Sequence, residues 1–354
     1  MNKCSGCGVV LQVKDKEKLG YVTQSALDKG NSLCMRCFNI VNYTKNINKD
    51  YTDEQFIEVL KKISTDNLIV MIVDVFDLNS TLLSSIIEVI KNHDILLFVN
   101  KLDMLPNTIN IDKLLSNIVR MYQNLNLNIV NGTLISAKYN FNIDYAKELI
   151  DMYAVNKDTY IVGVSNVGKS QFLSSLLKEC EIENANITIS HFPATTINSL
   201  KFKYNNNFIY DTPGVINRSQ IIHYIKESDI KYLYPKKLAQ KVFQVKDATT
   251  IFVSGYLKID IESKKRLSLT LFSSEELNIH RRKTVGSEDF FKEHRKDILV
   301  HNYVEDDFKT KEIALKKDQE ISVHGLCWFK VNEDCKISLT LNENVGISIR
   351  DKLI

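Results

Sequence analysis

The chain has 354 residues, 44% hydrophobic and 25% charged, with a formal net charge of +3. That hydrophobicity excludes a disordered chain, and 12 Gly and 4 Pro leave too little material for a long flexible linker. The longest apolar run, Leu68–Val73, falls far short of the roughly 20 residues a membrane helix needs, and Met1-Asn2-Lys3-Cys4 opens no signal region. A cytoplasmic protein with no membrane partner is expected, with its 7 cysteines reduced.

The charge is unevenly spread. Residues 1–50 carry 8 Lys/Arg and 4 Asp/Glu, residues 51–215 carry 13 and 18, and residues 216–354 carry 25 and 21. Two mildly basic ends flank an acidic middle, which points to an anionic partner for the ends.

The first segment, residues 1–45, is too small to build a core and needs a staple. Cys4-x-x-Cys7 and Cys34-x-x-Cys37 supply one, separated by 26 residues. Four thiolates on two such knuckles make a closed tetrahedral Zn²⁺ site with no open position for catalysis. Disulfides are one alternative, disfavoured by a reducing compartment, and a redox C-x-x-C is another, disfavoured because no βαβ unit surrounds either pair.

Residues 55–226 alternate buried strands with amphipathic helices. Leu68–Val75, Ile95–Val99, Thr133–Ser136 and Tyr160–Val164 read as strands. Helical stripes run through Leu82–Ile90, Leu114–Tyr122, 143–153 and Phe172–Leu177. This rhythm predicts a mostly parallel sheet covered by helices.

Five motifs follow in this segment. Asn100-Lys101-Leu102-Asp103 succeeds a strand, and a carboxylate at Asp103 can accept two hydrogen bonds from a guanine edge that adenine cannot match. Ser136-Ala137-Lys138 adds a second loop to the base. Gly163-Val164-Ser165-Asn166-Val167-Gly168-Lys169-Ser170 fills the phosphate-loop pattern between a strand and a helix, with Gln171 next in line as a binding candidate. Its backbone N–H groups cradle phosphates, Lys169 neutralises them, and Ser170 coordinates Mg²⁺. Thr195 and Thr196 sit farther on, with Thr196 the candidate Mg²⁺ ligand of the GTP-bound state. In Asp211-Thr212-Pro213-Gly214, Asp211 can hold a Mg²⁺-bound water and Gly214 can sense the γ-phosphate. Lys169, Thr196, Asp211 and Gly214 form the candidate catalytic set.

These motifs resemble those of the Ras-like GTPases in permuted order, with N-K-x-D and S-A-K ahead of the phosphate loop. The expected fold is a circularly permuted Ras-like P-loop GTPase domain between a zinc module and a β-rich C-terminal domain. Val215 stands where Ras-like enzymes place a water-orienting Gln, so slow intrinsic hydrolysis is expected. Asn166 resembles the asparagine that helps hold K⁺ in potassium-stimulated GTPases; its alternative role is to satisfy loop backbone groups.

Residues 227–354 read as β-rich, with strands at Thr250–Val253, Arg266–Leu271, Ile321–Val331, Lys336–Leu341 and Val345–Ile349 and a helix over Ser287–Ile298. Basic clusters at Lys236-Lys237, Lys264-Lys265-Arg266 and His280-Arg281-Arg282-Lys283 are solvated surface or phosphate contacts to RNA. Phe252, Tyr256, Phe272 and Trp328 are core residues unless they stack on bases.

Cys4-Ser5-Gly6-Cys7-Gly8, Cys34-Met35-Arg36-Cys37-Phe38, His191-Phe192-Pro193-Ala194-Thr195-Thr196, Leu277–Arg281 and His324–Trp328, with the permuted motif order, resemble the YqeH family of circularly permuted GTPases. The resemblance spans nearly the whole chain. It implies a GTPase acting in bacterial ribosome assembly, on the small subunit or its precursor, with ribosomal RNA contacts from the terminal domains and no DNA partner. An RNA-binding scaffold whose guanine nucleotide is only structural is the alternative.

Overall fold

The computed structural model describes residues 4, 10–15, 20–30, 33–35, 38, 53–81, 83–179, 188–191, 198–212, 214–234, 236–263 and 265–354. The chain divides into two compact units. Met1–Val75, Thr81–Leu102 and Leu115–Ile216 form the first; Phe76–Ser80, Asp103–Leu114 and Asn217–Ile354 form the second.

The first unit is built on β1 (Leu68–Asp74), β2 (Asp94–Asn100), β3 (Ile129–Leu134), β4 (Thr159–Val162), β5 (Thr188–His191), β6 (Asn198–Tyr204) and β7 (Asn207–Asp211). They form one sheet in the order β3-β2-β1-β4-β7-β6-β5. The β1–β2, β2–β3, β1–β4 and β4–β7 pairs are parallel, and β6 runs antiparallel to both neighbours. β1 is buried at all seven positions because helices cover both faces of a parallel sheet, as its unbroken apolar run predicts. The helix Lys169–Glu179 buries Phe172, Leu173, Leu176 and Leu177, and Phe172 meets Phe98 of β2 edge-on at 5.4 Å.

Permutation is visible in the sheet. β4, the strand that feeds the phosphate loop, is fourth in sequence yet lies between β1 and β7. Asp74, Asn100, Val162 and Asp211 end β1, β2, β4 and β7, so every guanine-nucleotide motif with described residues lies at the carboxyl end of the parallel strands. Open α/β sheets bind their ligands there.

The second unit holds two five-stranded sheets made from β8 (Leu238–Val245), β9 (Thr249–Val253), β10 (Leu257–Glu262), β11 (Leu267–Ser274), β12 (Ile279–Lys283), β13 (Phe308–Leu315), β14 (Gln319–Val323), β15 (Cys327–Val331), β16 (Cys335–Asn342) and β17 (Ile347–Asp351). Their orders are β12-β9-β10-β16-β13 and β17-β14-β15-β11-β8, and every pair is antiparallel. The inward side chains of both sheets, among them Ile251, Ile259, Leu269, Ile321 and Leu339, share one core. On the opposite face of the first sheet, Phe252 packs with Phe290, Phe291 and Leu299 around the helix Ser287–His294.

Two sequence expectations change here, and β8, β10, β12 and β13 are added to the expected strands. Ile321–Val331 is two strands, because a turn at His324–Leu326 with Gly325 at φ +76 reverses the chain. The helix at Ser287 ends at His294 rather than Ile298. β12 and β13 carry too few apolar residues to stand out as strands, since both are sheet edges. Phe252, Tyr256, Phe272 and Trp328 are buried, as expected of core residues.

The second unit also includes five residues that follow β1. Phe76 packs on Trp328 at 5.7 Å, and Trp328 stacks on Phe272 at 4.9 Å. Asn79 accepts from Arg350 at 2.5 Å, and Arg350 is paired with Glu320 at 2.7 Å. Gln220 donates to Asp77 at 2.8 Å and to Ser80 at 3.0 Å, while Asn217 donates to the Ser80 carbonyl at 2.7 Å. Ser219 and Ser348 flank the His324 ring at 2.7 Å and 2.8 Å. The outer face of the β14–β17 sheet therefore carries a buried polar network.

Candidate guanine-nucleotide site

The phosphate loop leaves β4 at Gly163. Asn166 adopts φ 68, a left-handed conformation that asparagine tolerates better than most residues. That gives Asn166 a backbone reason to be asparagine, whatever it coordinates. Gly168 adopts φ +94, and a Cβ there would meet Asn100 Nδ2 at 2.3 Å. Both the conformation and the space demand glycine.

Asn100 organises the loops. Its Nδ2 donates to the Val167 carbonyl at 2.9 Å, and its Oδ1 accepts from the Ala137 N–H at 3.0 Å. One buried side chain thus ties the N-K-x-D, phosphate-loop and S-A-K segments together. Ser175, which the motifs do not single out, supports the same place by donating to the Ala137 carbonyl at 2.8 Å. Ser136 and Phe141 exchange backbone hydrogen bonds of 3.2 and 3.1 Å, closing the S-A-K loop. Lys138 is exposed, with its Nζ 4.9 Å from the Tyr139 ring centroid.

Lys101, at φ 68, pairs with Asp74 at the end of β1. Asp74 was not among the sequence candidates; its signal is a carboxylate closing an otherwise apolar strand. Asp103 follows in the one-turn helix Leu102–Met104.

Lys169 and Asp211 form the buried charged centre. Lys169 Nζ donates to the carbonyls of Gly163 at 2.8 Å and Val164 at 3.2 Å. Burial lowers the Lys169 ammonium to about 8, opposed by attraction to Asp211. Burial raises the Asp211 carboxyl to about 6, with Lys169 pulling it back. Ser170 opens the helix behind Lys169, half-buried, and Gln171 is exposed.

Gly214 lies against this centre. A Cβ on it would stand 2.8 Å from Lys169 Nζ and 2.9 Å from Ser165 Oγ. The Ser165 N–H donates to the Val215 carbonyl at 2.9 Å and its hydroxyl to the Gly214 carbonyl at 3.3 Å. Thr212, another residue outside the sequence candidates, anchors the segment by donating its hydroxyl to the Ile161 carbonyl at 2.7 Å. Thr196 lies outside the described residues.

The residues present fit a magnesium nucleotide. A buried carboxylate, a loop hydroxyl and a lysine converge where backbone N–H groups of a phosphate loop meet the start of a helix. Toward the N-terminus, Cys4 and Cys34 are buried, and the Cys34 N–H points at Cys4 Sγ over 3.2 Å. N–H donation to sulfur suits a thiolate ligand. Cys7 and Cys37 lie outside the described residues.

This sheet and loop set define a circularly permuted P-loop GTPase with a β-rich C-terminal part. A 50S ribosome-binding GTPase family model matches residues 158–272, and a YqeH-like, C-terminal model matches residues 266–353. The first match begins just ahead of β4 and so leaves out Asn100–Asp103 and Ser136–Lys138, which precede it in this chain. The uncharacterized protein YqeH of Bacillus subtilis is 34% identical, over 99% of this chain and 99% of that protein. NO-associated protein 1 of Arabidopsis thaliana is 25% identical over 78% of this chain and 58% of its own length. The small ribosomal subunit biogenesis GTPase RsgA of Phytoplasma mali is 31% identical over 37% of this chain and 41% of its own. The chain belongs to the YqeH family.

Proposed function

We propose that this chain is a Mg²⁺-dependent GTP hydrolase whose nucleotide cycle governs binding to, and release from, the small ribosomal subunit or its precursor in the cytoplasm. The observation that carries the nucleotide reading is Asn100, which bonds the phosphate loop and the S-A-K loop at once. Support for the ribosomal partner comes from the family and from the similarity to an RsgA, a small-subunit biogenesis GTPase by name. Ribosomal RNA contacts are assigned to the terminal domains.

Within the site, Asp103 reads the guanine edge, and the loop N–H groups from Ser165 to Ser170 bind the phosphates. Ser170, Thr196 and Asp211 would hold Mg²⁺, which supplies charge neutralisation between the phosphates. Lys169 contributes a second cation held in place by two carbonyls. Val215 is buried and apolar, so it orients no water. Asn166 and K⁺, or the ribosomal partner, would supply the missing transition-state stabilisation. Cys4, Cys7, Cys34 and Cys37 would hold a structural Zn²⁺.

GTP turnover measured with and without small ribosomal subunits, in KCl and in NaCl at equal ionic strength, tests the reading. Stimulation by subunits and by K⁺ is expected. Absence of turnover under every condition favours the scaffold reading, which buried Val215 keeps in play.

A further inference from the structure

Resting on the RNA-contact reading above, we propose that RNA binds along one flank of the C-terminal sheets, where the edge strands β8 and β12 lie together, and that its phosphates are held by Arg281, Lys283 and Lys241. Three observations converge. The first is topological. β8 and β12 end their respective sheets, and each has a strand neighbour on one side only among the described residues. β8 connects to β9 through Lys246–Ala248, and β11, the neighbour of β8, connects to β12 through Glu275–Asn278. Crossovers of three and four residues span little more than the gap between packed sheets, so both edges fall on the same flank.

The second is charge. Lys236–Lys283 carries 11 Lys/Arg and 5 Asp/Glu. The remainder of residues 216–354 therefore carries 14 and 16, by subtraction from 25 and 21. The net positive charge of this domain therefore comes from the stretch that includes both edge strands. Lys237, Lys241, Arg266, Arg281 and Lys283 are exposed, and none forms an ion pair among the described residues. Within the same stretch Lys258 is paired, as are Arg295, Arg350 and Lys352 elsewhere in the domain, while Lys309 and Lys311 on β13 form no ion pair among the described residues either. Unpaired cations retain their full attraction for phosphate.

The third is preorganisation. Arg282 lies 4.2 Å from the Phe290 ring centroid, and His280, two residues earlier on the same face of β12, stacks on that ring at 5.0 Å and 13°. Both heads are fixed on the face of β12 opposite Arg281 and Lys283, so they offer a stacking platform at the rim of the flank rather than phosphate contacts. Planar groups already in a stack also suit a base lying against the edge of the array.

The test uses the full chain, a fluorescein-labelled oligouridylate, and anisotropy between about 50 and 200 mM KCl. R281E/K283E should weaken binding about tenfold or more and reduce the slope of log affinity against log salt by about 0.7 for each phosphate no longer neutralised. K309E/K311E, on the opposite edge strand β13, should bind as the parent does. Melting temperature and GDP affinity serve as folding controls, since the substituted residues lie outside the nucleotide site. Equal RNA binding by R281E/K283E and the parent overturns the flank assignment while leaving RNA contact standing. No RNA binding by the parent overturns both. Displacement of the RNA by polyglutamate at equal charge concentration replaces RNA with an acidic protein segment as the occupant and overturns the proposal.

Discussion

The Asn100 side chain spans 67 residues of sequence to donate to the Val167 carbonyl at 2.9 Å. Its other atom accepts from Ala137. N100A leaves a buried carbonyl and a buried N–H unpaired, at about 1–3 kcal/mol each. Affinity for a fluorescent GDP analogue should fall at least tenfold, and melting temperature should drop with it.

Gly168 faces the same side chain. G168A combines strain at φ +94 with a Cβ 2.3 Å from Asn100 Nδ2. Its nucleotide affinity should fall at least as far as that of N100A. G168A/N100A should do little worse than the poorer single variant, because both act through one contact. Isothermal titration with GDP measures all three.

Asp211 sets a pH dependence. Its folded carboxyl titrates at about 6 against an ordinary value of 3.8, because it is buried. The folded state therefore holds the extra proton in that window, and the ligand-free protein loses stability as pH rises through it. D211N has no such proton. Its melting temperature relative to the parent should rise between about pH 4 and pH 6. Mg²⁺-dependent GTP binding by the parent should run the opposite way, weakening as pH falls below about 6, because a protonated carboxyl is a poor ligand.

The Arg350–Glu320 pair is 5% and 0% exposed, with Asn79 on the far side of the guanidinium. R350M strands a buried carboxylate and should cost about 3–5 kcal/mol in urea unfolding. R350M/E320M should recover most of that stability. Recovery separates an uncompensated charge from poorer packing.

Motif-bearing loops and apolar strands were legible in the sequence for a physical reason. Strands buried on both faces, such as β1, are continuous in apolar residues, and the phosphate loop needs glycine where Gly168 stands. Sheet edges were not legible, because half of Ile279–Lys283 faces water and carries charge. Phe76–Ser80 lies inside the segment 55–226 expected to form the parallel sheet, yet it groups with the second unit. Asp77 and Asn79 are the sign that it does more, since polar residues buried after an apolar strand require partners, and here Gln220 and Arg350 provide them. Those partners lie more than 140 residues away, beyond the reach of any local pattern. The role of Ser175 was hidden similarly, as one hydroxyl on an otherwise apolar helical face.

The central place of β4 bears on how the protein is made. A chain that opens on its phosphate loop presents that loop first during translation. Here β1, β2 and β3, with Asn100 and Ser136, are synthesised before Gly163. Asn100 therefore waits for Val167, and the phosphate side of the site is finished only when Asp211 and Gly214 emerge. A nascent chain stalled before residue 163 carries its base-recognition residues without a phosphate loop, so nucleotide cannot assist the first half of its folding.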